Sequence, residues 1–233
     1  MQLTSFGCSL TLGTGLADHD TNHPRASLLT WPALVAERLG WRYRSIAQGG
    51  CGNLSIADRV LLNRWYKPND FLIINWTYLD RFDYVNSAIA ATDHGALQYT
   101  TARPGETNPI NDFYYRNLHS EFRDKLTSLI YIKAVIDLLV QKNCLFIMTA
   151  IDDMLFDRKY FATPQIVDLQ DSIRPYIQTF EGKNFLAWAR DQGHAISGDG
   201  HPLDSAHRAA AGVMLPIVQQ IYQSSNDATR HRA

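Results

Sequence analysis

Two apolar runs most constrain how this chain can fold. Phe71-Leu72-Ile73-Ile74-Asn75-Trp76 and Cys144-Leu145-Phe146-Ile147-Met148 are each the length of a strand and lack the polar alternation of a half-exposed one. A strand buried on both faces needs a helical layer on each side, and the surrounding sequence offers those helices. Residues 31–40 carry helical apolar spacing, with Pro32 near the start and Gly40 at the end. A second helix is expected over 54–66, capped by Asn53, and a long amphipathic one over 121–141. A short helix over 185–192 and a closing one over 205–222 complete the set. Further strands are expected at 2–8, 41–46 and 194–196. Strand and helix patterns alternate, so the expected fold class is α/β, with a mostly parallel sheet of about five strands covered on both faces. Residues 82–118 are polar and rich in Tyr and Asn, the composition of an irregular insertion or lid. The expected organisation is one domain over 1–223, with 224–233 as a flexible tail.

Composition removes several function classes. The net charge is −1 with both signs dispersed, which leaves no electrostatic footprint for nucleic acid or anionic lipid. Three cysteines make neither a disulfide framework nor a zinc motif. The amino terminus has no basic segment followed by a long apolar one, and no apolar run reaches the length of a membrane span. The expectation is a cytoplasmic protein with no membrane partner.

Parallel sheets bind ligands beyond the carboxyl ends of their strands. Ser9, Gly49-Gly50, Trp76-Thr77 and Asp152-Asp153 each follow a predicted strand, so the four segments should share one rim. A serine hydroxyl attacks only when a base takes its proton and donors hold the resulting oxyanion. Ser9, the glycine turn at 49–52 and the pair Asp199/His201 supply those residue types. Asp152 and Asp153 have no further ligand at metal spacing and read as helix-capping residues, so no metal and no organic cofactor is expected. Cys8 and Cys51 read as two packed thiols, and Gly13-Thr14-Gly15 lacks the rest of a phosphate-binding motif.

Gly7-Cys8-Ser9-Leu10-Thr11, Ser45-Ile46-Ala47-Gln48-Gly49-Gly50 and Asp199-Gly200-His201-Pro202 resemble, in that order, sequence blocks of the SGNH/GDSL hydrolases. The resemblance implies a flavodoxin-like three-layer α/β/α sandwich. It also implies an esterase or deacetylase that cleaves a small acyl ester, such as an O-acyl carbohydrate. In that reading Ser9 is the nucleophile, His201 the base and Asp199 its orienting carboxylate. The oxyanion donors are the backbone N–H groups of Ser9 and Gly50 and the side chain of Asn75. Trp76, Thr77 and Arg81 would contact substrate from the rim, and Tyr84, Tyr99, Tyr114 and Tyr115 would shape the pocket. Three positions depart from the family. Cys8 stands where an Asp precedes the serine. Asp199 is two residues before His201 instead of three, a position held by Gly198, while Asp204 and His207 form a rival pair with the family's spacing. The Gly-x-Asn of the third block is missing, and Asn75 falls one residue early for its asparagine. Two alternatives stand beside hydrolysis: an acyltransferase on the same scaffold, and a binding or assembly domain without catalysis.

Overall fold

The computed structural model describes residues 1–20, 25–63, 70–85 and 99–230, with side chains as far as Ser225. In chain order the elements are β1 (Gln2–Phe6), α1 (Ser9–Leu12), α2 (Trp31–Arg38), β2 (Arg42–Ser45), α3 (Asn53–Leu61) and β3 (Phe71–Trp76). Then come β4 (Phe82–Tyr84), β5 (Thr100–Ala102), α4 (Pro109–Asn117), α5 (Glu121–Gln141) and β6 (Leu145–Ala150). The chain closes with α6 (Pro164–Ile173), α7 (Phe185–Asp191) and α8 (Asp204–Arg230).

Four strands form a parallel sheet in the order β2-β1-β3-β6. Leu3 pairs with Phe71 and Phe71 with Leu145, so the apolar runs lie side by side at the centre of the sheet. All six residues of β3 are buried, as an apolar run without alternation requires. Helix α2 packs on α8, while α3 packs on α5 and α5 on α6. Right-handed crossovers from β1 to β2 and from β2 to β3 run in opposite directions along the sheet and so put α2 and α3 on opposite faces. The core between the layers includes Phe6, Val35, Ile74, Ile132, Met148 and Met214.

The expected fifth strand at 194–196 does not form. Ile196 instead bridges Pro202 in an antiparallel sense, because this short segment is used to close the turn that follows it. The outer edge of β6 is met by Ile177 through a single parallel bridge to Met148, with Gln178 N–H donating to the Met148 carbonyl at 2.7 Å. Within 82–118, strands β4 and β5 pair antiparallel and α4 follows, so the described part of this segment is regular rather than irregular. Helix α8 continues to Arg230, beyond the expected end at 222.

Asn53 is not a cap. It lies inside α3, and its amide grips the backbone after β3: Thr77 N–H donates to Oδ1 at 2.8 Å and Nδ2 donates to the Thr77 carbonyl at 3.2 Å. The free N–H groups of the first α3 turn go to Asp83 of β4, which accepts from Gly52 and Ser55 at 2.8 Å each. Thr101 of β5 donates to the same carboxylate at 2.6 Å. One buried aspartate therefore fastens the β4–β5 pair to the glycine turn that precedes α3.

Among the described residues, no helix is long and apolar enough to cross a membrane.

Candidate active site

The turn after β1 brings Ser9 to the carboxyl edge of the sheet. Gly7 permits this path because a Cβ there would sit 2.2 Å from Thr11 Oγ1 and 3.1 Å from the Asn75 carbonyl oxygen. Ser9 begins α1, and the first N–H of a helix has no intrahelical acceptor. Cys8 and Cys51 are buried free thiols beside this turn. Burial, and then the neighbouring Cys8, push the Cys51 thiol up to about 12, which keeps it protonated and unreactive at neutral pH.

His201 arrives from the far end of the chain. Its turn is fixed by Ser197 N–H donating to the His201 carbonyl at 2.8 Å and by Leu203 N–H donating to the Ala195 carbonyl at 3.0 Å. The result is a contact between residues 192 positions apart: Ser9 Oγ lies 2.8 Å from His201 Nε2. With the ring proton on Nδ1, Nε2 is the acceptor of the serine hydroxyl.

Asp199 Oδ1 is 3.0 Å from His201 Nδ1, but the Nδ1–H direction does not point at it, so the contact is electrostatic rather than an aligned hydrogen bond. The same carboxylate accepts from the Ser197 hydroxyl, whose oxygen in turn takes the His201 N–H at 3.0 Å. The Ser197 bond, and then His201, hold the Asp199 carboxyl below the usual carboxylate range. Its side chain is 63% exposed, so solvent screens it. Asp199→Asn is therefore expected to lower kcat/KM on an acyl ester by about tenfold or less, far short of the ~10⁴ loss when a buried, aligned aspartate is neutralised. Steady-state kinetics of the purified variant give the number directly.

The rival pair does different work. His207 is buried in α8, and its Nδ1 accepts the Trp31 N–H at 3.0 Å, capping the start of α2 across the fold. Its ring meets Phe185 edge-on at 4.8 Å. Asp204 accepts from Ala17 N–H at 3.2 Å. Burial drives the His207 pKa from 6.5 down to about 3, so the folded chain keeps it neutral. As pH falls below 6.5, the unfolded chain takes up a proton that the folded chain refuses until about 3. Stability should fall across that window by up to ~1.4 kcal/mol per pH unit from this group. Urea unfolding at several pH values should show a shallower slope in His207→Gln than in the wild type; parallel slopes would refute the assignment.

Asn75, expected as an oxyanion donor, faces the interior instead. Its Nδ2 donates to Thr11 Oγ1 at 3.3 Å and its Oδ1 accepts from Thr149 at 2.9 Å. It ties α1 to β3 and β6 and has no open path to the cleft. Trp76 is likewise a core residue, with Nε1 directed at Met148 Sδ at 3.3 Å, and Thr77 is buried under Asn53. Both were expected at the rim; the inward pleat of a doubly covered sheet takes them away from it.

A cleft of about 410 Å³ opens above Ser9 and His201, lined also by Gly50, Tyr78, Arg81 and Arg103. Gly50 has φ +73°, and its N–H has no acceptor among the described residues. The four tyrosines expected to shape this pocket lie elsewhere. Tyr99 and Tyr114 are buried, Tyr84 stacks on Phe82, and Tyr115 lines a separate cavity of about 340 Å³ with Asp80 and His119. Asp152 caps a short helical turn and also accepts from Leu79 N–H at 2.9 Å, while Asp153 accepts from Asn184, so neither reaches the cleft. No group of three potential metal ligands occurs among the described residues. Ser197 and Arg103 are the site residues that sequence reasoning missed. Serines are abundant in turns, and Arg103 is brought to Gly50 only by the β4–β5 pairing.

No protein-family model and no curated protein matches the sequence. Solved structures do. The fold is similar to that of a carbohydrate esterase described as having divergent catalytic and non-catalytic binding functions (TM-score 0.50, 14% identity, 95% of this chain and 66% of that one). It is similar to a carbohydrate esterase family 2 enzyme with a carbohydrate-binding domain from Corynascus thermopiles (Myceliophthora fergusii) (TM-score 0.50, 16% identity, 94% of this chain and 66% of that one). An acetyl xylan esterase, AlAXEase, is matched over its whole length (TM-score 0.50, 15% identity, 94% of this chain and 100% of that one). The chain thus spans slightly less than two thirds of the first two relatives and all of the third. At these identities the likeness concerns architecture alone, a parallel sheet between two helical layers.

Proposed function

We propose that the protein is a serine esterase that removes a small acyl group from an ester, with an O-acylated carbohydrate as the substrate class. The observation that carries the reading is the 2.8 Å contact between Ser9 Oγ and His201 Nε2 at the mouth of an open cleft. Ser9 Oγ attacks the acyl carbon while His201 Nε2 takes its proton, and the N–H groups of Ser9 and Gly50 receive the oxyanion. Collapse of the tetrahedral intermediate releases the alcohol, which leaves with the proton held by His201. Water then repeats the sequence on the acyl-enzyme and frees the acid. Asp199 favours the imidazolium through charge. The carbohydrate part of the proposal leans on the neighbours, three of which are described as carbohydrate or acetyl xylan esterases.

A fluorophosphonate probe tests the assignment without knowledge of the substrate. Peptide mass spectrometry should find one adduct, on Ser9, and Ser9→Ala should take up none. An adduct on another serine, or no adduct on the folded wild type, would reject Ser9 as the nucleophile.

A further inference from the structure

Two guanidinium groups enter the cleft that holds Ser9 and His201. Arg81 is held in place from two sides: Nη1 donates to the Cys51 carbonyl at 2.9 Å, and its guanidinium carbon lies 5.2 Å from the centroid of the Tyr78 ring. No carboxylate lies within ion-pair distance of it among the described residues. Its remaining N–H donors are therefore fixed in direction without a charged acceptor. Arg103 leaves the end of β5 and lies over Gly50 so closely that a Cβ there would come within 2.3 Å of Nη1. Its ion pair is with Glu106, at the surface, where both side chains are more than a third exposed. Among the described residues, the one carboxylate that lines the cleft is Asp199, which is engaged by Ser197 and His201.

Convergent like charges in a half-enclosed cleft repel. Burial first, and then the charge of Arg81, pull the Arg103 guanidinium below its ordinary range, so repulsion adds to a shift led by desolvation. Solvated arginines would swing apart, but here the backbone resists. Asp83 ties the β4–β5 pair to the glycine turn, so Arg103 is carried to Gly50 by the fold rather than by a flexible stem alone. A neutral substrate gains nothing from two such groups beside the reacting serine. An anionic oxygen group between them relieves the repulsion and meets planar, multi-donor partners suited to carboxylate and phosphate.

We infer that the cleft selects esters bearing an anionic group, carboxylate or phosphate, held by Arg81 and Arg103 next to the scissile bond. This deepens the esterase reading and rests on it. Three pairs of esters, each pair differing by one anionic group, locate the anion. They are para-nitrophenyl hydrogen succinate and its methyl ester (anion in the acyl part), acetylsalicylate and its methyl ester (carboxylate in the alcohol part), and acetylated glycerol phosphate and acetylated glycerol (phosphate in the alcohol part).

In at least one pair, kcat/KM should be at least about tenfold higher for the charged member, and that ratio should shrink as salt screens the arginines. In Arg81→Gln and Arg103→Gln the ratio should fall towards one. A ratio near one in all three pairs, or an unchanged ratio in both variants, overturns the inference while leaving the esterase reading intact. Calorimetric titration of Ser9→Ala with the same compounds reads binding without turnover. Charge-selective binding there upholds the anion site even if the wild type hydrolyses nothing, an outcome that would instead defeat the esterase reading. Equal binding of both members in every pair, or no binding at all, overturns the anion site.

Discussion

Ser9→Ala is expected to lower kcat on a small acyl ester such as para-nitrophenyl acetate by at least about a thousandfold. Among the described residues of the cleft, no other group takes over. His201 Nε2 has Ser9 Oγ as its partner, so removing the hydroxyl leaves the imidazole able only to activate water, a slower route. Cys8 adjoins Ser9 but is fully buried, and Cys51 is held in its thiol form. The variant should fold. Its α1 turn is closed by backbone bonds from Thr11 and Leu12 to the Cys8 carbonyl, which do not involve the hydroxyl. Matching melting curves for the two proteins would separate loss of chemistry from loss of structure. A folded variant within tenfold of the wild-type kcat would remove Ser9 from the reaction and leave it as an ordinary residue at a helix start.

How much of this was legible in the sequence depends on the range of the forces involved. The strand 71–76 and the helix 121–141 appear at the expected bounds, because an apolar run without alternation and a sustained helical period are strong local signals. The blocks around Ser9, Gly50 and His201 name three segments that line one cleft. What failed was long-range pairing of polar groups. Asn53 looks like a cap from its place before a helix, yet the cap is Asp83, 28 to 31 residues away, and Asn53 is committed to Thr77. Asn75 is the asparagine nearest the third-block position of the family that the sequence resembles, but the pleat turns it towards Thr11 and Thr149. His207 had the better spacing to an aspartate and is nonetheless the cap of α2. In each case the residue type was informative and the direction of the side chain was not, since direction is set by which layer lies above and which below.

The departures from the family's blocks acquire a physical sense in this light. Asp199, one residue closer to the histidine than in the family it resembles, reaches Nδ1 without aligning to it, and its Oδ1 accepts from the neighbouring Ser197 hydroxyl. In the proposed reading the absence of the third-block asparagine would leave the oxyanion to backbone donors, with Arg81 and Arg103 as the charged groups of the same cleft. A site with a loosely held base and added positive charge relies less on the orienting carboxylate and more on the field of the cleft.

That balance makes the histidine the sharper test of the two reacting groups. His201→Ala is expected to cost kcat a factor of the same order as Ser9→Ala, about a thousandfold or more, because among the described residues His201 is the base in contact with the serine hydroxyl. The double variant Ser9→Ala/His201→Ala should then be no slower than either single one, within about tenfold, since residues that act as a unit lose their effect together. His207→Gln should retain kcat within about tenfold at neutral pH while losing stability, because its ring supports the start of α2 rather than the cleft. Additive losses in the double variant would mean that serine and histidine act in separate steps. A collapse of kcat in folded His207→Gln, with His201→Ala still active, would move the base from the 197–203 turn to α8 and make the Ser9–His201 contact a packing feature.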